Sequence, residues 1–168
     1  LKQLTDGQGL DAPGFELSEL ERTETLNQLD GEVYLATRLR KYILLRLDSV
    51  LANDPGASYD HSIITVEHVL PQTPSEGSQW RKDFSEEQAK YWTHRLGNLL
   101  LLNHRTNSRA RNYDFEVKKE KYFTSGKGVA VFALTTQVLS EHSWTPDVIE
   151  RRQQQLIDLL ADEWELRG

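Results

Sequence analysis

The 168-residue sequence contains no cysteine and no methionine. Without cysteine, disulfide bonds, thiolate zinc sites and a cysteine nucleophile are all excluded. No apolar run reaches the roughly 20 residues that a transmembrane helix needs, and no signal peptide opens the chain. We therefore expect no membrane partner and a cytoplasmic location. Because methionine is missing and the chain opens on Leu1, we also expect a fragment of a longer protein.

The net charge is −6, which argues mildly against a nucleic-acid partner, but the charges are unevenly distributed. Between His94 and Tyr122, seven basic residues occur with only three acidic ones. A locally basic segment is typical of contact with a phosphate backbone, although any single charge fits a solvated helix face equally well. The candidate phosphate contacts are Arg105, Arg109, Arg111 and Lys118.

Local patterns predict a mostly helical chain with one core. Capping-box spacing predicts helix starts at Ser18 and Ser85, and Thr145 followed by Pro146 predicts the start of the last helix. Shorter helices are expected over residues 104–112, after Asp114 and over 129–139. Asp30 is expected to cap a helix with an apolar face of Leu35, Leu39, Tyr42, Ile43, Leu47, Val50 and Leu51.

Two short strands are expected in the middle of the chain. Residues 62–67 are rich in Ile, Thr and Val, and residues 99–102 are four leucines, which indicates burial on both faces. The segment between His68 and Asn98 is longer than a compact hairpin requires, which leaves the register of the second strand open. The predicted fold class is α+β, a mostly helical domain around a two-stranded ribbon.

Three polar residue types stand at fixed places in this ribbon region. Glu67-His68-Val69-Leu70-Pro71 closes the first strand, Gly97-Asn98 opens the second, and Asn107 follows within the basic segment. Strand, strand and polar helix carrying His, Asn and Asn is the layout of a ββα-metal (HNH, His-Me finger) nuclease. Further matching pieces are Phe115-Glu116-Val117-Lys118, Tyr122 and residues 144–152.

Together these pieces resemble the C-terminal HNH nuclease domain of GmrSD-type modification-dependent restriction enzymes, as also found in the phosphorothioate-sensing defence nuclease SspE. The resemblance covers roughly residues 60–165. It implies that residues 1–60 form a helical linker or scaffold that follows a missing, nucleotide-sensing N-terminal domain. Residues 61–168 would then be the nuclease domain, with a ββα core at about 61–112 and a helical C-terminal part at 113–168.

The resemblance also implies a role for each candidate site residue. His68 is the candidate general base, since imidazole titrates near neutral pH. Glu67 and Asn107 are the candidate metal ligands, and their oxygen donors suit Mg²⁺ or Mn²⁺. Asn98 is expected to hold the loop that carries the base, through bonds to backbone groups. His94 and His104 are candidate auxiliary residues.

Glu67 and His68 are consecutive, so an ideal strand would direct them to opposite faces. For both to serve one site, the strand must end or bulge at this pair.

The function expected from these features is a metal-dependent DNA endonuclease or nickase, the effector part of an antiphage restriction protein that acts on double-stranded DNA according to its modification. Its full-length form is a candidate homo-oligomer. One alternative is a non-catalytic DNA-binding or docking module that keeps the ββα shape. Another is an RNA-cleaving, toxin-like nuclease, which is disfavoured because no aromatic platform for single-stranded RNA is evident.

Overall fold

The computed structural model describes residues 16–54, 59, 62–103, 112–120 and 132–167. Within them the chain is α+β, with helices surrounding one two-stranded antiparallel sheet. The helices are α1 (Glu19–Leu29), α2 (Arg40–Leu51), α3 (Trp80–Asp83), α4 (Glu86–Trp92), α5 (Phe115–Lys118), α6 (Ala133–Ser140) and α7 (Pro146–Glu163). The strands are β1 (Ile64–His68) and β2 (Leu99–Asn103), and 3-10 turns span Val33–Leu35 and Leu96–Asn98.

The two strands pair in a regular register from Ile64 opposite Asn103 to His68 opposite Leu99. The prediction for the first strand was therefore displaced by one to two residues, because the strand begins at Ile64 and includes His68. The pairing contains no bulge, and β1 ends at His68, the second residue of the Glu67-His68 pair.

The ribbon separates two hydrophobic clusters, which explains why β2 has no polar face. Leu99 and Leu101 belong to a cluster with residues of α2, α6 and α7. Leu100 and Leu102 belong to a second cluster, formed with the segment between the strands, α5 and Trp144. All four leucines are at most 4% exposed. The prediction that this strand is buried on both faces is confirmed.

The predicted caps agree with the structure at three helix starts. Ser18 and Ser85 each form a complete capping box, and Thr145 accepts a hydrogen bond from the amide of Val148 ahead of Pro146 at the first helical position. Such caps stabilise a helix by about 1 kcal/mol because they satisfy otherwise unpaired amides. α7 buries Ile149, Leu156 and Leu160 and is the longest helix that the structure describes.

The prediction for Asp30 was wrong. Asp30 is the C-cap of α1, and the next helix begins only at Arg40, after the 3-10 turn Val33–Leu35. Leu35 and Leu39 therefore precede the helix and cannot share a face with the residues of α2. Ile43 and Leu47 are buried, but three members of that face are more than half exposed, namely Leu35, Leu39 and Tyr42.

The long segment between the strands folds into α3 and α4. Trp80 and Trp92 are buried in the second cluster, as expected for residues that pack this segment, and the indole of Trp80 donates to the carbonyl of Tyr113 at 3.0 Å. Asp114 precedes α5, but its carboxylate accepts from the amide of Gln79 at 3.0 Å instead of capping its own helix. No helix in the described ranges is long and apolar enough to cross a membrane.

Candidate active site

His68 lies at the end of β1 and is only 5% exposed. Its Nε2 is 3.3 Å from Nδ1 of His94, and its Nδ1 is 3.5 Å from Nε2 of Gln72. The ring of Tyr34 packs on both imidazoles, with centroids 4.1 Å from His68 and 5.4 Å from His94. The guanidinium carbon of Arg40 lies over the ring of Tyr34, 4.2 Å from its centroid.

Burial lowers the pKa of His68 to about 3, and the neighbouring His94, Lys118 and Arg40 act in the same direction. The imidazole is therefore neutral near pH 7, which is the form that can accept a proton. A bound phosphate would raise this pKa, because a nearby negative charge favours the protonated form.

Glu67 has different neighbours from His68. It pairs across the sheet with Leu100 of the second cluster, and its Oε1 accepts a hydrogen bond from Nζ of Lys118 at 3.2 Å. Burial raises the pKa of Glu67, while the charge of Lys118 and its hydrogen bond oppose that rise. The Glu67 side chain is 13% exposed, so its carboxylate is accessible to solvent.

The structure corrects the assignment of Lys118 as a phosphate contact. Its side chain is fully buried, and Nζ also donates to the carbonyl of His68 at 2.7 Å. Burial lowers the pKa of this ammonium, and the charge of Glu67 opposes that change. Lys118 thus links the carboxylate of Glu67 to the backbone of His68 and presents no charge to the surface.

The side chain of Asn98 joins the loop after β1 to Thr93 and Trp144. Its Oδ1 accepts from the amide of Leu70 at 2.7 Å and from the indole of Trp144 at 3.1 Å. Its Nδ2 donates to the carbonyls of Leu70 and Thr93, each at 3.0 Å. Two acceptor positions and two donors are the full capacity of an amide side chain, so Asn98 is a positioning residue with no lone pair left for a metal.

Side chains of α7 hold the 3-10 turn that carries Asn98. Gln153 accepts the amide of Gly97 at 2.6 Å, and Arg152 donates to the carbonyls of Gly97 and Leu99 at 2.7 and 2.9 Å. Arg152 is 3% exposed, and burial lowers its pKa to about 9. At Gly97 a Cβ atom would lie 2.5 Å from the carbonyl oxygen of Ile149. Only glycine allows α7 to approach this closely.

We expect Gly97→Ala to lower the free energy of unfolding by about 1–3 kcal/mol, because the added methyl group must displace the α7 backbone. Gly31→Ala is the comparison, since a Cβ there would lie 3.2 Å from the carbonyl oxygen of Gln28, a close contact that requires only a small shift. Urea denaturation measures both variants. Equal midpoints for the two would contradict a tight contact at Gly97.

Sequence reasoning missed four residues of this site. They are Tyr34, Arg40, Arg152 and Gln153, which reach it from distant parts of the chain, and no local spacing marks them. Arg152 occurred among the matching residues of the tail but without a role. His94, in contrast, was a candidate auxiliary residue, and the structure brings it into contact with His68.

Five candidate site residues lie outside the residues that the structure describes, together with residues 104–111 of the helix expected at 104–112. They are Asn107, His104, Arg105, Arg109 and Arg111. The third element of the ββα motif and the second metal ligand are therefore still predictions.

A carboxylate such as that of Glu67 and an asparagine amide both offer oxygen, the donor that a hard divalent ion prefers. Glu67 supplies the carboxylate, and Asn107 would supply the amide. The described ranges contain no group of three or more His, Cys, Asp or Glu side chains that could hold a metal. A site here therefore depends on Asn107 and on water to complete the coordination.

Comparison with known proteins identifies the family of this chain. A search of curated proteins finds no match. The sequence model for the C-terminal domain of GmrSD restriction endonucleases matches residues 20–159, which includes both strands, the segment between them, Asn98 and most of α7. The chain therefore belongs to the family of GmrSD restriction endonuclease C-terminal domains.

Proposed function

We propose that this domain is a metal-dependent DNA endonuclease of the HNH type that nicks one strand per engagement. The observation that carries the proposal is the pair of hydrogen bonds by which the Asn98 side chain holds the amide and the carbonyl of Leu70 in the loop following His68. A rigidly held imidazole at the end of a strand is what a general base needs, because proton transfer depends on the position of the acceptor nitrogen.

In this proposal His68 removes a proton from the attacking water. Its neighbours Tyr34 and Gln72 orient the ring, and burial keeps it neutral until the substrate phosphate arrives. Asn98 acts through the loop and touches no reacting atom. Lys118 fixes the carbonyl of His68 and the carboxylate of Glu67 relative to each other.

Glu67 and Asn107 would hold Mg²⁺ or Mn²⁺. Such an ion polarises the phosphate and stabilises the leaving oxygen. Arg105, Arg109 and Arg111 are proposed to contact DNA phosphates, since they lie beside Asn107 in the sequence.

The proposed biological setting is antiphage restriction in the bacterial cytoplasm. The substrate is double-stranded DNA, chosen according to its modification by an upstream nucleotide-sensing domain of the same polypeptide. Pairing of such domains in a homo-oligomer would convert nicks into double-strand breaks.

The proposal is tested by nicking of supercoiled plasmid with Mg²⁺ or Mn²⁺, compared with EDTA. We expect wild type to nick only with metal and His68→Ala to be slower by at least about a hundredfold, the usual contribution of a general base. His142→Ala is the matched control, because this histidine is exposed and is not among the proposed site residues. Undiminished nicking by His68→Ala would exclude His68 as the base.

The pairing of Lys118 with Glu67 favours one second candidate, a non-catalytic DNA-binding module. In that case the ammonium would permanently replace the cation. The same assay separates the two, because the module would bind DNA in a salt-dependent way without any metal-dependent nicking.

A further inference from the structure

A groove of about 520 Å³ opens beside His68. Two of its lining residues, Gln72 and His94, are the residues whose side-chain nitrogens lie 3.3–3.5 Å from the His68 ring. Whatever occupies this groove is therefore adjacent to the candidate base. The volume falls within the 300–1,000 Å³ typical of sites for small organic ligands, a class that includes a single nucleotide.

The lining of the groove combines apolar and hydrogen-bonding groups. Leu35, Pro74 and Ala89 provide apolar surface, while Gln72 and His94 provide an amide and an imidazole. Leu35 is 54% exposed although it is a large aliphatic residue. A nucleobase has the matching chemistry, with apolar faces and a hydrogen-bonding edge.

The charges in the groove lining favour a base over a long stretch of backbone. Arg81 and Lys90 are opposed by Glu32 and Glu86, and Arg81 lies 3.5 Å from the exposed carboxylate of Glu86. Such an exposed pair is worth little and can rearrange. The groove therefore carries no net charge, while Lys90 and Arg81 still offer donors to one phosphate.

We propose that this groove binds one nucleotide next to the scissile phosphate, unpaired from the duplex, with its base against Leu35 and its phosphate at Lys90. The proposal rests on the nuclease function proposed above and extends it to the substrate. It also gives a role to the segment between the strands, which supplies most of the groove wall, from Gln72 to His94. Base contacts here would make the domain sensitive to an altered base independently of any upstream domain.

The test measures binding of two fluorescent 12-mer single strands in EDTA, one of thymidine and one of abasic residues with the same phosphates. We expect wild type to bind the thymidine strand at least about fivefold tighter than the abasic strand, since bases contribute contacts that phosphates lack. Leu35→Ala should remove most of that preference by weakening the thymidine strand alone, because it removes apolar surface. Lys90→Ala should weaken both strands and lower the salt dependence by about one unit.

Two matched controls lie outside the groove. Leu39 is exposed to the same extent as Leu35, 54%, and Lys82 is an exposed lysine on α3, so Leu39→Ala and Lys82→Ala should change neither affinity. All four substitutions are at exposed positions, and thermal unfolding verifies that each variant folds. Equal effects of Leu35→Ala and Leu39→Ala, or equal binding of both strands by wild type, would overturn the proposal.

These outcomes are distinguishable from failure of the nuclease proposal. If wild type nicks plasmid with metal but the groove variants behave like their controls, only the groove assignment falls. If wild type neither nicks plasmid nor binds either strand, the nuclease function falls and the groove proposal falls with it.

Discussion

Replacing Asn98 by alanine should lower the free energy of unfolding by an amount on the order of 4 kcal/mol. The substitution leaves four buried partners without a hydrogen bond, and each unsatisfied group costs about 1–3 kcal/mol. The partners are the amide and carbonyl of Leu70, the carbonyl of Thr93 and the indole of Trp144. Because Asn98 is completely buried, water cannot replace the missing side chain without opening the structure.

Asn103→Ala is the matched control, since Asn103 is an asparagine at the other end of β2 and is half-buried. We expect it to cost no more than about 1 kcal/mol. Asn98→Asp should also be severe at neutral pH, because a carboxylate would face the carbonyls of Leu70 and Thr93 that the amide now donates to. Urea denaturation measures all three. An Asn98→Ala midpoint equal to that of Asn103→Ala would show that the loop does not depend on this amide.

Lys118→Met should destabilise the fold by roughly 3–5 kcal/mol, the usual cost of removing one partner from a buried ion pair. The variant keeps the apolar stem but leaves the carboxylate of Glu67 and the carbonyl of His68 without the ammonium. Lys119→Met is the control, because Lys119 is half-buried and its ammonium donates to the carbonyl of Glu141. Its loss should cost about 1 kcal/mol.

The double variant Glu67→Gln with Lys118→Met should recover much of this loss, since it removes the uncompensated charge. The single variant should also respond to pH. Burial raises the pKa of Glu67, and without Lys118 no ammonium opposes that rise. The folded protein then binds the proton more tightly than the unfolded chain does, so destabilisation is smallest below the unfolded pKa of about 4.3 and grows as the pH rises. A pH-independent loss would contradict the ion-pair explanation.

Local sequence patterns predicted three helix starts correctly, but they did not predict where the chain turns between α1 and α2. Ser18, Ser85 and Thr145 cap helices as expected, because a cap depends only on residues within one turn. Asp30 failed because the same side chain can end one helix or begin the next, and tertiary contacts decide which. Here the amide of Tyr34 bonds the carbonyl of His94 at 3.0 Å, which holds the intervening segment as a turn.

In the candidate site, too, local patterns predicted some residues, whereas contacts between distant residues were not predictable. The positions of His68 at a strand end and of Asn98 before β2 follow from short patterns, and the structure agrees with both. The partner of Glu67 does not follow, because a lysine 51 residues away reads as a surface charge until the packing is known. Tyr34 and Arg152 were beyond prediction for the same reason.

The close contact between Gly97 and the α7 backbone limits how far this domain can be shortened. A polypeptide truncated before Thr145 would retain both strands and each proposed catalytic residue, yet it would lack the Arg152 and Gln153 side chains that support the turn before β2. Attempts to engineer a minimal nicking enzyme from the ribbon alone should therefore keep the C-terminal helix, even though that helix contributes no group to the chemistry.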